Sequence, residues 1–119
     1  MQTLKAGIMS SQAYKQRTLD IARGKYKPKK DEPKVWFQSI ETFSQVLSSK
    51  NQALLITIAK TQPRSMSELA LKTDRHLSNL CRTLKTMERY GIVYFERSSG
   101  KEIAPRVHYS NVALELPLS

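Results

Sequence analysis

Cysteine is nearly absent, with Cys81 the single one in 119 residues. One thiol cannot close an intrachain disulfide, and with only His76 and His108 as imidazoles no spacing suits a zinc site. The same scarcity argues against an enzyme, because neither histidine nor the thiol has a suitably spaced acid, base or metal partner. No catalytic residue, metal or cofactor is therefore expected. Long apolar runs are missing too. None approaches the ~20 residues of a spanning helix, and no signal-peptide core is visible, so a cytoplasmic location without membrane attachment is expected. Acidic residues are few, ten against twenty Lys and Arg, for a net charge of +10. That excess favours a polyanionic partner, nucleic acid above all.

What is present fits one hydrophobic core plus an appendage, since the chain is too short for two independent cores. Apolar residues from Ile8 to Ala22 recur at loosely helical spacing, and Gly24 can end that helix. Pro28 and Pro33 then forbid a helix in a stretch crowded with five lysines from Lys25 to Lys34, which reads as an extended basic connector. Residues 1–34 are taken as this helix and connector, and 35–119 as a DNA-binding domain. Met1 to Gln38 carries nine cations against Asp20, Asp31 and Glu32, a net +6, so much of the excess charge lies outside the domain. Lys27 and Lys29 are its expected phosphate contacts.

Val35, Trp36 and Phe37 form an apolar anchor at the start of the domain. Ser39 can cap a helix carrying Ile40, Phe43, Val46 and Leu47. Ser49 and Gln52 have capping-box spacing for the next helix, which Pro63 stops. Ser65 or Ser67 can cap a short helix ending near Thr73, in which Ala70 leaves room for a close helix crossing. Asp74 suits the N-cap of the helix after it. There Leu77, Leu80, Cys81, Leu84 and Met87 mark a core face, while Arg75, His76, Ser78, Asn79, Arg82, Lys85 and Arg89 lie around the remainder, opposed only by Glu88.

A mixture of cations and short hydrogen-bonding groups is also what any solvated helix face shows. The turn before this helix, the alanine and the strand after it favour DNA recognition instead. Arg82 has the fork geometry for a guanine edge, Asn79 can pair with adenine, and Ser78 or His76 can reach a base or phosphate. Gly91 supplies a left-handed C-cap, Ile92 to Phe95 read as a strand, residues 98–101 as a turn, and Val107 to Tyr109 as a returning strand. Arg97, Lys101 and Arg106 lie on or near this wing, where cations would meet the phosphate backbone. The alternating Val112, Leu114, Leu116 and Leu118 suggest a terminal strand. The expected fold class is mainly α with a small β-hairpin, a winged helix-turn-helix with an N-terminal helical extension.

The segment ELALKTDRHLSNLCRTLKTMERYGIVYFER resembles the winged helix-turn-helix regulators of MarR and ArsR type, in which the recognition helix runs into a "GLV"-like ending, here MERYGIV. IARGKYKP and EPKVWF extend the likeness to a group of small prokaryotic DNA-binding regulators, some encoded beside toxin-like proteins. The resemblance implies a transcriptional regulator acting as a repressor, and a homodimer on double-stranded DNA. Its recognition helix spans about residues 75–90 and its basic wing about 94–109. By the same resemblance Arg75, His76, Ser78, Asn79, Arg82, Thr83 and Lys85 occupy recognition positions, and Arg97, Lys101 and Arg106 wing positions. Asp74 departs from the usual glycine of the turn and Arg75 from an apolar residue. The alternative function is an antitoxin or adaptor whose N-terminal segment grips a protein partner. An RNA partner is disfavoured, because Tyr90, Tyr94 and Phe95 read as core or strand residues rather than a stacking platform.

Overall fold

A computed structural model describes residues 2–97, 100 and 102–118. The elements run β1 (Gln2–Ile8), α1 (Ser11–Ala22), β2 (Val35–Phe37), α2 (Ile40–Val46), α3 (Ser49–Thr61), α4 (Met66–Thr73), α5 (Leu77–Arg89), β3 (Val93–Arg97), β4 (Ile103–Val107) and β5 (Tyr109–Glu115). The expected mainly α class with one small hairpin does not hold. The described residues are 46% helical and 24% strand, and β2, β1 and β5 form a three-stranded parallel sheet beside the two-stranded antiparallel β3–β4 hairpin.

The N-terminal segment is thus not a purely helical extension. It begins with the central strand of a sheet, paired through Ala6 with Val35 on one side and with Leu114 on the other. Parallel pairing needs long crossovers. Here α1 and the connector join β1 to β2, and the helices and hairpin lie between β2 and β5. The seven residues QTLKAGI carry no clean alternation, which is why a strand there leaves little trace in the sequence. Gly7 is required by close approach, since a Cβ at that position would lie 2.5 Å from the Trp36 ring and 2.9 Å from Pro33 Cγ.

One core joins the sheet to the helices: Leu4 and Ala6 of β1 are buried with Phe37, Leu54, Ile58, Leu69, Leu80, Leu84 and Met87. Phe37 is stacked on Tyr90, with ring centroids 4.2 Å apart, and meets Phe43 edge-on at 5.1 Å. β4 and β5 are almost continuous. The chain changes sheets at His108, whose N–H donates to the Ile92 carbonyl at 3.2 Å. Pro105 pairs opposite Phe95 in a hairpin whose strands are both edges, the setting in which a strand tolerates proline.

Serines start the first four helices. Ser10, Ser39, Ser48 and Ser65 each accept a backbone N–H three residues on, which satisfies one otherwise unpaired donor. For α3 the cap is Ser48 rather than Ser49, and Gln52 instead donates to the Leu47 carbonyl at 2.7 Å. In α4 the Glu68 carboxylate reaches one residue beyond the expected box and accepts from the Arg64 N–H at 2.7 Å.

Candidate nucleic-acid interface

The turn between α4 and α5 fixes how α5 is presented. Asp74 is not the N-cap of α5. It takes the left-handed conformation, φ 55° and ψ 38°, as the C-cap of α4, with its N–H bonded to the Ala70 carbonyl. Asp is among the few residues other than glycine that tolerate this region, so the missing glycine of the turn is replaced without losing its geometry. His76 becomes the N-cap of α5 and makes no side-chain capping bond. The first N–H groups of α5 therefore receive no cap from that side chain, and uncapped helix N-termini are where phosphate is attracted.

Arg75 is drawn into the scaffold. Its guanidinium donates to the Lys50 carbonyl at 3.1 Å and to Asn51 Oδ1 at 3.3 Å, while Asn51 in turn donates to the Val46 carbonyl at 3.1 Å. The clamp sets the angle between the α4–α5 turn and the start of α3. Leu80, Leu84 and Met87 are completely buried, which turns the opposite side of α5 outward. Ser78, Arg82, Lys85 and Arg89, at i, i+4, i+7 and i+11, form the exposed stripe, with Asn79 at its edge and Thr83 half-buried on its flank. Leu77 stays 45% exposed beside the turn instead of joining the core. Arg82, Lys85 and Arg89 make no ion pair among the described residues.

The hairpin is less basic than its sequence. Arg106, with a side chain 17% exposed, donates from Nη1 to the Pro63 carbonyl at 2.7 Å and the Pro105 carbonyl at 2.8 Å, and from Nε to Glu96 at 3.1 Å. It ties the hairpin to the α3–α4 turn. Arg97 is exposed at the end of β3. Lys101 lies outside the described residues.

Lys27 and Lys29 are exposed on a connector that is folded rather than extended. The Lys25 and Tyr26 N–H groups donate to the Asp20 carbonyl, and the Lys34 N–H to that of Lys5. The Lys5 ammonium bonds the Asp31 carbonyl. Glu32 gathers the rest: the Tyr26 hydroxyl, the Lys29 N–H at 2.9 Å and the Arg17 guanidinium at 3.3 Å. These donors, the Tyr26 hydroxyl foremost, hold the Glu32 carboxyl below its usual range, and the carboxylate raises the Tyr26 phenol in return. Arg17 also lies 5.7 Å from the Tyr26 ring centre and 5.5 Å from that of Trp36.

Sequence reasoning left Arg89 outside the expected site, although its i+11 spacing from Ser78 was the signal that includes it. Among the described residues no cluster of His, Cys, Asp or Glu could hold a metal ion, and no helix is long and apolar enough to cross a membrane. A family model described as HVO_A0114 matches residues 46–114, from the end of α2 through most of β5. No curated protein and no solved structure matches the chain.

Proposed function

The chain belongs to the HVO_A0114 family, and from the helices and hairpin inside the matched segment we propose that it is a sequence-specific DNA-binding regulator. α5 lies in the major groove. Asn79 and Arg82 read base edges, each good bidentate contact being worth about 1–3 kcal/mol of discrimination. Lys85, Arg89, Arg97 and the first N–H groups of α5 hold flanking phosphates. Occupancy of a promoter represses it. The single observation that carries this reading is the α5 stripe, whose cations make no ion pair among the described residues, unlike Arg106, Arg17, Lys5 and Lys72.

The regulator works as a homodimer on an inverted repeat. Residues 107–119 contain no Lys or Arg, so two chains of +10 meet there with least repulsion, and β5 has β1 as its single strand partner among the described residues. Selection of bound genomic fragments, followed by fluorescence anisotropy on the enriched duplex, tests the proposal. Arg82→Ala is expected to weaken the preferred duplex about 5–100-fold while leaving nonspecific duplex nearly unchanged. An unchanged preference would remove α5 as the reading element.

A second reading is an adaptor or antitoxin that binds a partner protein through α1. It is favoured by α1 itself, which buries no residue and leaves Tyr14 47% and Leu19 46% exposed.

A further inference from the structure

A notch of about 450 Å³ opens between α1, β2 and the C-terminal end of α5. Its size falls within the ~300–1,000 Å³ of small-molecule sites. Lys15, Lys34 and Arg89 share its walls with Tyr14, Trp36 and Tyr90, and no acidic residue lines it. None of the three cations makes an ion pair among the described residues. Three like charges around one concavity are an unfavourable arrangement that an anion relieves.

The aromatic half of the notch is set in advance. Tyr90 is stacked on Phe37, and the Trp36 ring is fitted against Gly7 and Pro33 with the Arg17 guanidinium over it, 5.5 Å from its centre. Rings already held in place lose little freedom when a flat ligand is added. Unpaired cations suit a phosphate and fixed rings suit a base, which together describe a nucleotide. Arg89 also borders the shallow groove formed by Arg82, Lys85, Thr86 and the acidic Glu88 on α5, so the notch continues the exposed stripe.

We propose that this notch binds one nucleotide unit, its phosphate held by Lys15, Lys34 and Arg89 and its base placed against the fixed rings of Trp36 and Tyr90. The unit is either a free mononucleotide or an unpaired or terminal nucleotide of a nucleic-acid strand. This site goes beyond duplex recognition by α5, with which it shares Arg89 but neither Asn79 nor Arg82.

Trp36 is the chain's single tryptophan, so its emission reports on the notch directly. The full chain is titrated with adenosine 5′-monophosphate, adenosine, inorganic phosphate and a 5′-phosphorylated single-stranded oligonucleotide. A saturable change with the oligonucleotide but not the mononucleotide supports the site and assigns it to a nucleic-acid strand. A saturable change with both supports it and assigns free nucleotide as a sufficient ligand. The Lys15→Gln, Lys34→Gln double variant changes two exposed side chains, with its fold checked by circular dichroism, and is expected to raise the midpoint about tenfold or more. Arg82→Ala is expected to leave the midpoint alone, which separates this site from the duplex reading. The proposal is overturned if neither nucleotide ligand gives a saturable change. It is equally overturned if adenosine or inorganic phosphate matches the nucleotide's midpoint, or if the double variant binds as the parent does.

Discussion

Replacing Arg106 with Gln separates two roles that its position on the hairpin would otherwise confuse. As a phosphate contact it would contribute about 0.9 to the slope of log affinity against log salt. The structure gives its guanidinium other work, with the Pro63 carbonyl at 2.7 Å bridging 43 positions of sequence and the Pro105 carbonyl at 2.8 Å nearby. A hydrogen bond involving a charged group contributes about 1.5–3 kcal/mol when its partner is removed from water. The Pro105 bond spans adjacent residues and fixes little of the tertiary structure. The Glu96 partner has a side chain 50% exposed, so that ion pair adds at most a few tenths of a kcal/mol. A loss of about 2 kcal/mol follows, nearly all from the Pro63 contact. With a urea slope of about 1–3 kcal/mol/M, the unfolding midpoint should fall by roughly 1 M. Arg106→Lys should recover part of the loss, since one ammonium can reach one carbonyl but lacks the fork. If the variant keeps its urea midpoint yet loses close to one unit of salt slope on DNA, the clamp is wrong and Arg106 belongs to the interface.

Two further perturbations probe the parts that the sequence left least visible. Gly7→Ala places a methyl group 2.5 Å from the Trp36 ring, an overpacking expected to cost about 1–3 kcal/mol and to shift Trp36 emission, so an unchanged melting temperature and spectrum would remove the close approach. Glu32 has a lowered folded pKa, so the stability it supplies is present above its unfolded pKa and disappears as pH falls through the lower folded value; Tyr26, with a raised pKa, loses its share as pH rises through the phenol range. Glu32→Gln should therefore destabilise the chain at neutral pH and flatten its acid limb in urea titrations run at successive pH values, and an acid limb parallel to that of the parent would show that the connector is not held this way.

The helices were legible because their signals lie within a few residues: serine caps for α2, α3 and α4, an apolar repeat in α5, and stops at Pro63 after α3 and Gly91 after α5. The α5 core face could be read from Leu80, Leu84 and Met87 for the same reason. The parallel sheet could not, because its pairings join residues that are far apart, Ala6 with Val35 and Leu4 with Val112, and nothing local in QTLKAGI announces them. Asp74 was misplaced because Asp suits both an N-cap and a left-handed C-cap. Which role it takes depends on where the next helix begins, and the chain spends two more residues before α5 does.

Charge was the strongest sequence signal, and the structure changes what it means. A net +10 suggests a broad basic surface, yet several of the cations behind it are structural. Arg75 and Arg106 hold backbone carbonyls, Arg17 joins Glu32 to two aromatic rings, and Lys5 meets both Glu115 and the Asp31 carbonyl. These groups cannot turn to a phosphate without releasing the contacts that fix the turn, the hairpin or the connector. Three cations that make no ion pair among the described residues, Arg82, Lys85 and Arg89, follow one another along α5, and Arg89 hands the line on to Lys15 and Lys34. On the proposed DNA-binding reading, a polyanion would be directed to one track by where carboxylates and carbonyls have already claimed the other cations. On this argument the salt slope for duplex binding should reflect the handful of free cations on that track and fall well short of the formal charge.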